Sequence, residues 1–323
     1  MIRIGFLFGF IGLALATGVI AFSGAQQVLD SLSVAGWGIV WTSLFHLVPM
    51  YACVLGWQAL MPGSSKAGKG FFFYVLWIRV SINNLMPVAK IGGEIVSVRL
   101  MTKHGIRKSP AIASTVVETT LSVLAQFAFV LLGVAMFVLR VTNESVISQL
   151  LWGLLITVPF IGAMLYVQRI GFFGLFEKLF TMMFRDKWKK FAGSAKRLDH
   201  AVRVMYRRRG KAFYCFVMQF LSWALCSIEI WLALDFLGHP LSLAECLMIE
   251  ALIQAAGSAA FIVPGALGVQ EAGFLLFGGM LGLSPETSAA LAMIRRCRDL
   301  LLYVPGLITW QIQEGRWLLK KGH

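Results

Sequence analysis

Apolar residues run along this chain in blocks of about twenty, the length a helix needs to cross a hydrocarbon core roughly 30 Å thick. The blocks at 4–22, 38–60, 110–139, 147–168, 212–237 and 285–310 read as full spans. Two others, 71–103 and 241–283, are interrupted by helix breakers, in NNLMPVAK (83–90) and VPGALGVQE (263–271). Each interrupted block reads either as a re-entrant hairpin or as two crossings with a tight turn. The expected fold is an all-α polytopic membrane protein with six full spans plus two broken, re-entrant segments, eight or more membrane segments in all. The first block is followed by SGA at 23–25, where a signal peptide would be cleaved. Its apolar run is long for a signal sequence, and it reads as an uncleaved first helix.

Composition agrees with this reading and adds an orientation. The chain is 58% hydrophobic and only 14% charged, where soluble domains carry roughly 25% charged residues. Its mean hydropathy is +0.78. The net charge of +14 is unevenly placed. Arg3, Lys66, Lys69, Arg99, Lys103, Arg107 and Lys108 fall at joints that one orientation puts inside, while the joints 23–37 and 235–240 hold no Lys or Arg. Cytoplasmic loops are enriched in these residues, so both termini are expected in the cytoplasm.

Residues 185–211 contain eleven Lys or Arg, with Trp188, Phe191, Ala195, Leu198, Val202 and Met205 forming one apolar stripe. The stretch 170–211 therefore reads as a basic interfacial helix with anionic phospholipid as its partner. A nucleic-acid role does not fit a segment tied at both ends to membrane spans. The five cysteines, Cys53, Cys215, Cys226, Cys246 and Cys297, form no CxxC and read as small buried hydrophobes.

The two breaks resemble each other. PVAKIGGE (87–94) and PGALGVQE (264–271) both run from proline through six residues to glutamate. Each is soon followed by a Gly-to-Ser-Pro opening of a long apolar block, GIRKSP (105–110) and GLSP (282–285). Two repeats follow, 1–146 and 147–323. An odd number of spans between the breaks turns the second copy upside down. Inverted repeats with discontinuous helices are a recurring transporter plan, with the site near the midplane. Broken backbone survives at membrane depth only when buried in protein or lining a polar cavity. The alternative is a packed re-entrant loop in which the glutamate is structural.

Charges at membrane depth narrow the candidates. Arg79, Asn83 and Asn84 precede the first break. Glu118, eight residues beyond Pro110, is roughly 12 Å deep, and Arg295, ten beyond Pro285, roughly 15 Å from the opposite face. A Glu118–Arg295 contact across the pseudo-axis is expected. In RRCRD (295–299), Arg295 and Asp299 share a helix face, with Arg298 a turn away from Arg295. Such a group needs either mutual pairing or an anionic ligand, and both readings stand. Glu229, Glu245 and Glu250 are also intramembrane, but no motif marks them. His46, His104, His200, His239 and His323 show no metal or acid–base spacing, and there is no P-loop or GxSxG. No catalytic residue, metal or cofactor is expected.

At NNLMPVAKIGGEIVSVRL (83–100) and VPGALGVQEAGFLLF (263–277) the chain resembles the lysylphosphatidylglycerol synthase transmembrane family. That family is flippase-like, with two facing re-entrant segments. The wording PVAKIGGE…VRL is similar to its stand-alone, hopanoid-associated HpnL branch. The resemblance implies a bacterial inner-membrane protein that moves a polar-headed lipid. Matching positions make Asn84, Pro87, Gly93, Glu94 and Arg99 a first motif, and Pro264, Gly265, Gly268 and Glu271 a second. The soluble aminoacyl-transferase domain of the synthase members has no counterpart here, so lysyl-lipid synthesis is not expected.

The leading expectation is a lipid flippase or transporter for a hopanoid-type lipid or phospholipid derivative. Arg79 and the 295–299 cluster would hold an anionic head group, the asparagines and glutamates a polyol, and Glu94 and Glu271 a cationic one. The rivals are a membrane-embedded lipid-modifying transferase and a non-transporting scaffold that binds lipid-synthesis proteins.

Overall fold

The computed structural model describes residues 33, 35–61, 67–86, 92–140, 189–259 and 268–319. The expected spans 4–22 and 147–168, residues 170–188 of the basic stretch, and Pro87, Pro264 and Gly265 lie outside these residues. Among the described residues the secondary structure is helical, with no strand. In chain order the helices are α1 (Gly38–Phe45), α2 (Leu47–Leu60), α3 (Lys69–Leu85), α4 (Gly92–Lys103) and α5 (Lys108–Val138), then α6 (Lys189–Arg207), α7 (Arg209–Phe236), α8 (Leu243–Ala259), α9 (Val269–Met280) and α10 (Pro285–Leu319).

Among the described residues, three helical stretches are long and apolar enough to cross a membrane: Gly38–Leu60, Lys108–Val138 and Arg209–Phe236. The first is α1 and α2 run together, with His46 between them in a near-helical conformation (φ −59°, ψ −19°). Pro49 lacks the N–H that would bond the Phe45 carbonyl one turn back, so the ladder is interrupted there. Helix α10 is longer still, about 52 Å at 1.5 Å per residue, and carries the charge run 295–299 within it.

One succession occurs twice. Helices α3 and α8 each have 17 residues, a break follows, and α4 and α9 each have 12. Both twelve-residue helices end in the same turn. Gly105 (φ 90°) and Gly282 (φ 91°) take the left-handed conformation that favours glycine, and the next residue's N–H reaches back five positions, Ile106 to Met101 and Leu283 to Gly278. A long helix, α5 or α10, begins a few residues later. A twelve-residue helix spans about 18 Å, short of a core about 30 Å thick.

Packing interleaves the two halves. Helix α5 lies on α8 and α10 on α3, while α7 runs against α1, α2, α5 and α8. The cross-half contacts are close because each long helix presents a glycine. A Cβ on Gly133 would overlap the Ala251 side chain of α8, and one on Gly306 would overlap Ser81 of α3. The outer surface is apolar, with Trp37, Trp41, Leu132, Phe213, Leu301 and Ile308 exposed. Arg79, Glu118, Glu229, Glu250, Glu271, Arg295 and Arg298 are instead buried, as a lipid solvent requires of charges at membrane depth.

Helix α6 departs from its expected role. Leu198, Val202 and Met205 do form one stripe, but they are buried against Leu60, Ala113, Val117, Leu121, Ala212 and Cys215. This half of the stripe is absorbed by protein because α6 packs on α5. Arg203, Arg207, Arg208, Arg209 and Lys211 remain exposed.

Gly133→Val is expected to overpack the α5–α8 contact and destabilise the protein by about 1–3 kcal/mol. A thermal melt in detergent should show a lowered midpoint. Gly279→Ala, where an added Cβ meets nothing within 4 Å, should leave the midpoint in place.

Candidate functional site

Two polar groups lie along α3, the limb that leads to the first break. On α3, Arg79 forks onto Glu118 of α5, Nη1 donating to Oε2 at 2.5 Å and Nη2 to Oε1 at 2.9 Å. Glu118 is 1% exposed and also accepts from Gln219 Nε2 of α7 at 2.7 Å. Gln219 and Ser222 accept in turn from the Cys53 thiol of α2. The guanidinium of Arg79 lies over the Trp57 ring, 4.6 Å from its centroid, a cation–π contact that adds to the ion pair.

One turn further along α3, Asn83 bridges the break. Its amide nitrogen donates to both carboxylate oxygens of Glu94 at 3.2 Å, and its oxygen accepts the Gly93 N–H at 2.9 Å. Gly93 must be glycine here, because a Cβ would run into the Arg79 carbonyl and the Asn83 side chain. Asn83, Asn84 and Glu94 are only half-buried, and Asn84 turns back to its own helix at the Val80 carbonyl. Among the described residues Glu94 has no ion-pair partner.

The second break is built differently. Glu271 accepts the Gly268 N–H at 2.8 Å, closing the first turn of α9. Its other oxygen accepts from Arg296 Nε at 2.5 Å, and the carboxylate is 2% exposed. Arg295 pairs with Glu250 of α8 and lies over Phe274, 5.2 Å from the ring centroid. Glu250 also accepts from Gln254 at 2.6 Å. Gln126 of α5 bonds Gln254 and Ser258, linking this network to the other half.

A third group joins α7 and α10 to the His46 joint. Arg298 donates to Glu229 at 2.6 Å and to Asp299 at 2.6 Å. His46 Nδ1 lies 2.7 Å from Glu229, and its Nε2 lies 3.0 Å from the Tyr303 hydroxyl. His46, Cys226 and Glu229 bring three ligand-type atoms within 4.8 Å of one another. Arg298 already stands on Glu229, so a metal cation would have to displace a guanidinium. The arrangement fits ion pairing rather than metal binding.

With this geometry in place, the relatives can be compared. Residues 9–306 match the family described as the lysylphosphatidylglycerol synthase TM region. The chain belongs to this family. A UPF0104 membrane protein of Methanothermobacter thermautotrophicus is 24% identical over 249 residues, covering 72% of this chain and 72% of its own length. A second UPF0104 membrane protein, from Pyrococcus horikoshii, is 21% identical over 290 residues, covering 82% and 83%. No solved structure matches the chain. As a member of the family the protein is an integral membrane protein with helical spans, consistent with a lipid-related role.

Several sequence expectations need correcting. Glu118 does not meet Arg295: each is paired within its own half, Glu118 with Arg79 and Arg295 with Glu250. The physical reason is reach: each long arginine side chain extends to a carboxylate of its own half, although the long helix packed most closely on each limb is that of the other half. Asp299 pairs with Arg298 and Arg296 rather than with Arg295. Arg99 is exposed and forms an ion pair with Glu314, apart from the buried networks. His46 is not isolated but sits among Glu229, Arg298 and Tyr303, contacts made by residues more than 180 positions away.

Arg296, Glu229, Glu250, Gln219 and His46 were not marked as site residues by sequence. One signal was available: Glu94 to Glu118 and Glu271 to Arg295 are both steps of 24 residues. The two positions are occupied by opposite charges, so each implies a partner of the other sign on the preceding limb.

Breaking one buried pair leaves an uncompensated charge, which costs about 3–5 kcal/mol. Glu118→Leu is therefore expected to be poorly folded, and the double change Arg79→Met/Glu118→Leu to recover most of the loss. Size-exclusion and melting of the three proteins would check this. The charge swap Glu118→Arg/Arg295→Glu should rescue nothing, in contrast to Glu118→Arg/Arg79→Glu.

Proposed function

We propose that this protein is a lipid flippase or transporter that moves a polar-headed lipid across, or onward from, the bacterial inner membrane. The observation that carries the reading is the half-buried Asn83–Glu94 pair, with the Gly93 N–H, at a backbone break, beside an arginine, Arg79, already neutralised by Glu118. A break at membrane depth that keeps hydrogen-bonding groups accessible suits a polar head group, while the tails stay in lipid.

The repeated 17-break-12 succession and its shared glycine turns support two inverted repeats with facing re-entrant segments. The charge pattern supports cytoplasmic termini. The exposed cations of α6 would face the anionic leaflet, holding the bundle at the cytoplasmic surface.

The pairing pattern bears on the head group. Arg79, Arg295 and Arg298 each have a carboxylate within the fold, so an anionic head group would have to compete with Glu118, Glu250 and Glu229. Asn83, Asn84 and Glu94 offer half-buried hydrogen-bonding groups that no ion pair holds among the described residues. An uncharged polyol of the hopanoid type, or a cationic group, fits that offer better than a phosphate alone.

Reconstitution of the purified protein in liposomes with labelled lipids tests this reading. Protein-dependent exchange between leaflets is expected for a polar-headed lipid. Glu94→Gln should slow it about tenfold, equivalent to ~1.4 kcal/mol, close to the lower end of what a hydrogen bond to a charged group contributes. Product formation without exchange would favour a transferase. No exchange of any lipid, with or without an imposed gradient, would overturn the proposal.

A further inference from the structure

We propose that His46 is the proton-binding site of this protein, and that the proton it takes up is the ion coupled to transport. The second clause rests on the flippase reading, while the first stands without it.

Charge counting leads to the site. Arg79–Glu118, Arg295–Glu250 and Arg296–Glu271 are each neutral as pairs. Among the described residues, the remaining buried group on α7 and α10 contains two carboxylates, Glu229 and Asp299, against one guanidinium, Arg298, since Arg296, 3.6 Å from Asp299, is already matched by Glu271. With His46 neutral this group carries one negative charge inside a fold surrounded by lipid. With His46 protonated it is neutral. Isolated charge in such a medium is costly, and an imidazole is the side chain able to take up one proton near neutral pH.

The geometry receives that proton without moving a heavy atom. In the neutral ring Nδ1–H donates to Glu229 Oε2 at 2.7 Å, and Nε2 accepts from the Tyr303 hydroxyl at 3.0 Å. This tautomer is assigned from its partners. It bars acceptance from Arg298 Nη1, 3.3 Å away, since that lone pair is occupied. On protonation Nε2–H becomes a donor, and Tyr303 needs only to turn its hydroxyl and accept. Both ring nitrogens are thus satisfied in either state. The groups facing the ring are Glu229 and Cys226 from α7 and Arg298, Asp299 and Tyr303 from α10.

The location connects the proton to shape. His46 occupies the joint between α1 and α2, where Pro49 leaves the helical ladder incomplete. Two of its partners, Arg298 and Tyr303, lie on α10, the longest helix among the described residues, which packs on α3 of the first broken segment. Gain or loss of the proton alters how firmly this jointed span is held to α7 and α10, and α10 carries the change to the break.

Two measurements test the proposal. The first follows imidazole ¹⁵N resonances of histidine-labelled protein in nanodiscs as pH is varied, with His46→Gln identifying the signal. The His46 signal is expected to pass from that of a neutral ring to that of a doubly protonated one within the pH range scanned. Glu229→Gln or Asp299→Asn removes the excess negative charge and should lower the midpoint by roughly one unit or more. These variants keep His46, so the test survives if His46→Gln folds poorly. A His46 locked in one protonation state across this range overturns the site.

The second imposes a pH gradient on proteoliposomes. Wild-type exchange should respond to the gradient, and His46→Gln exchange should not. Titration of His46 without lipid movement by the wild type would overturn the transport reading while the proton site stands. Lipid movement whose gradient response survives His46→Gln would overturn the coupling alone.

Discussion

An ionised side chain within the membrane must find its countercharge inside the fold, and most of the helix arrangement described here follows from that requirement. An unpaired arginine at the bilayer centre costs about 2.5–3.5 kcal/mol on insertion scales. Here Arg79, Arg295, Arg296 and Arg298 are each bonded to carboxylates from other helices or from the adjoining residue. Through these side chains the pairs tie α3 to α5, and α7, α8 and α9 to α10. Apolar packing against lipid gives no comparable selectivity, because lipid tails are as apolar as leucine. Glycines at 133 and 306 then allow the close cross-half contacts that the pairs alone would not produce.

The two halves solve this problem with the charges exchanged. In the first, the arginine is on the 17-residue limb and the glutamate on the long helix; in the second the glutamate, Glu250, is on the limb and Arg295 on the long helix. A limb-to-helix ion pair works in either polarity, since the cost of burying it depends on the pair and its remaining hydrogen bonds. Gln219 supplies the additional bond to Glu118, and Gln254 the one to Glu250. Similar architecture therefore coexists with sequences that show little likeness outside the breaks.

This also explains what could be read from the chain alone. Apolar block length and the helix breakers placed α2, α3, α5, α7, α8 and the start of α10, because each depends on local residues. The likeness of PVAKIGGE and PGALGVQE pointed to paired breaks for the same reason. Burial of Glu118, Arg295 and Arg298 was legible from depth. Their partners were not, since Glu118 had several possible arginines and symmetry suggested the wrong one. His46 was invisible because its neighbours come from residues 226–303 and carry no spacing signal. The stripe on the basic helix was correctly periodic, but periodicity cannot say whether lipid or protein covers it. Leu198, Val202 and Met205 face protein.

The two motif glutamates finally part ways. Glu271 is held by a backbone N–H and by Arg296, and is nearly inaccessible. Glu94 is held by a neutral amide and is half-buried. If both breaks contacted a head group equally, both carboxylates would need to be free to change partners. Moving a ligand onto Glu271 would take from Arg296 its carboxylate at 2.5 Å, with Asp299 standing further off at 3.6 Å, whereas a ligand at Glu94 displaces an uncharged asparagine contact. The proposed division of labour is therefore asymmetric: the first break meets the lipid, and the second anchors the charged face of α10 against which the first is held.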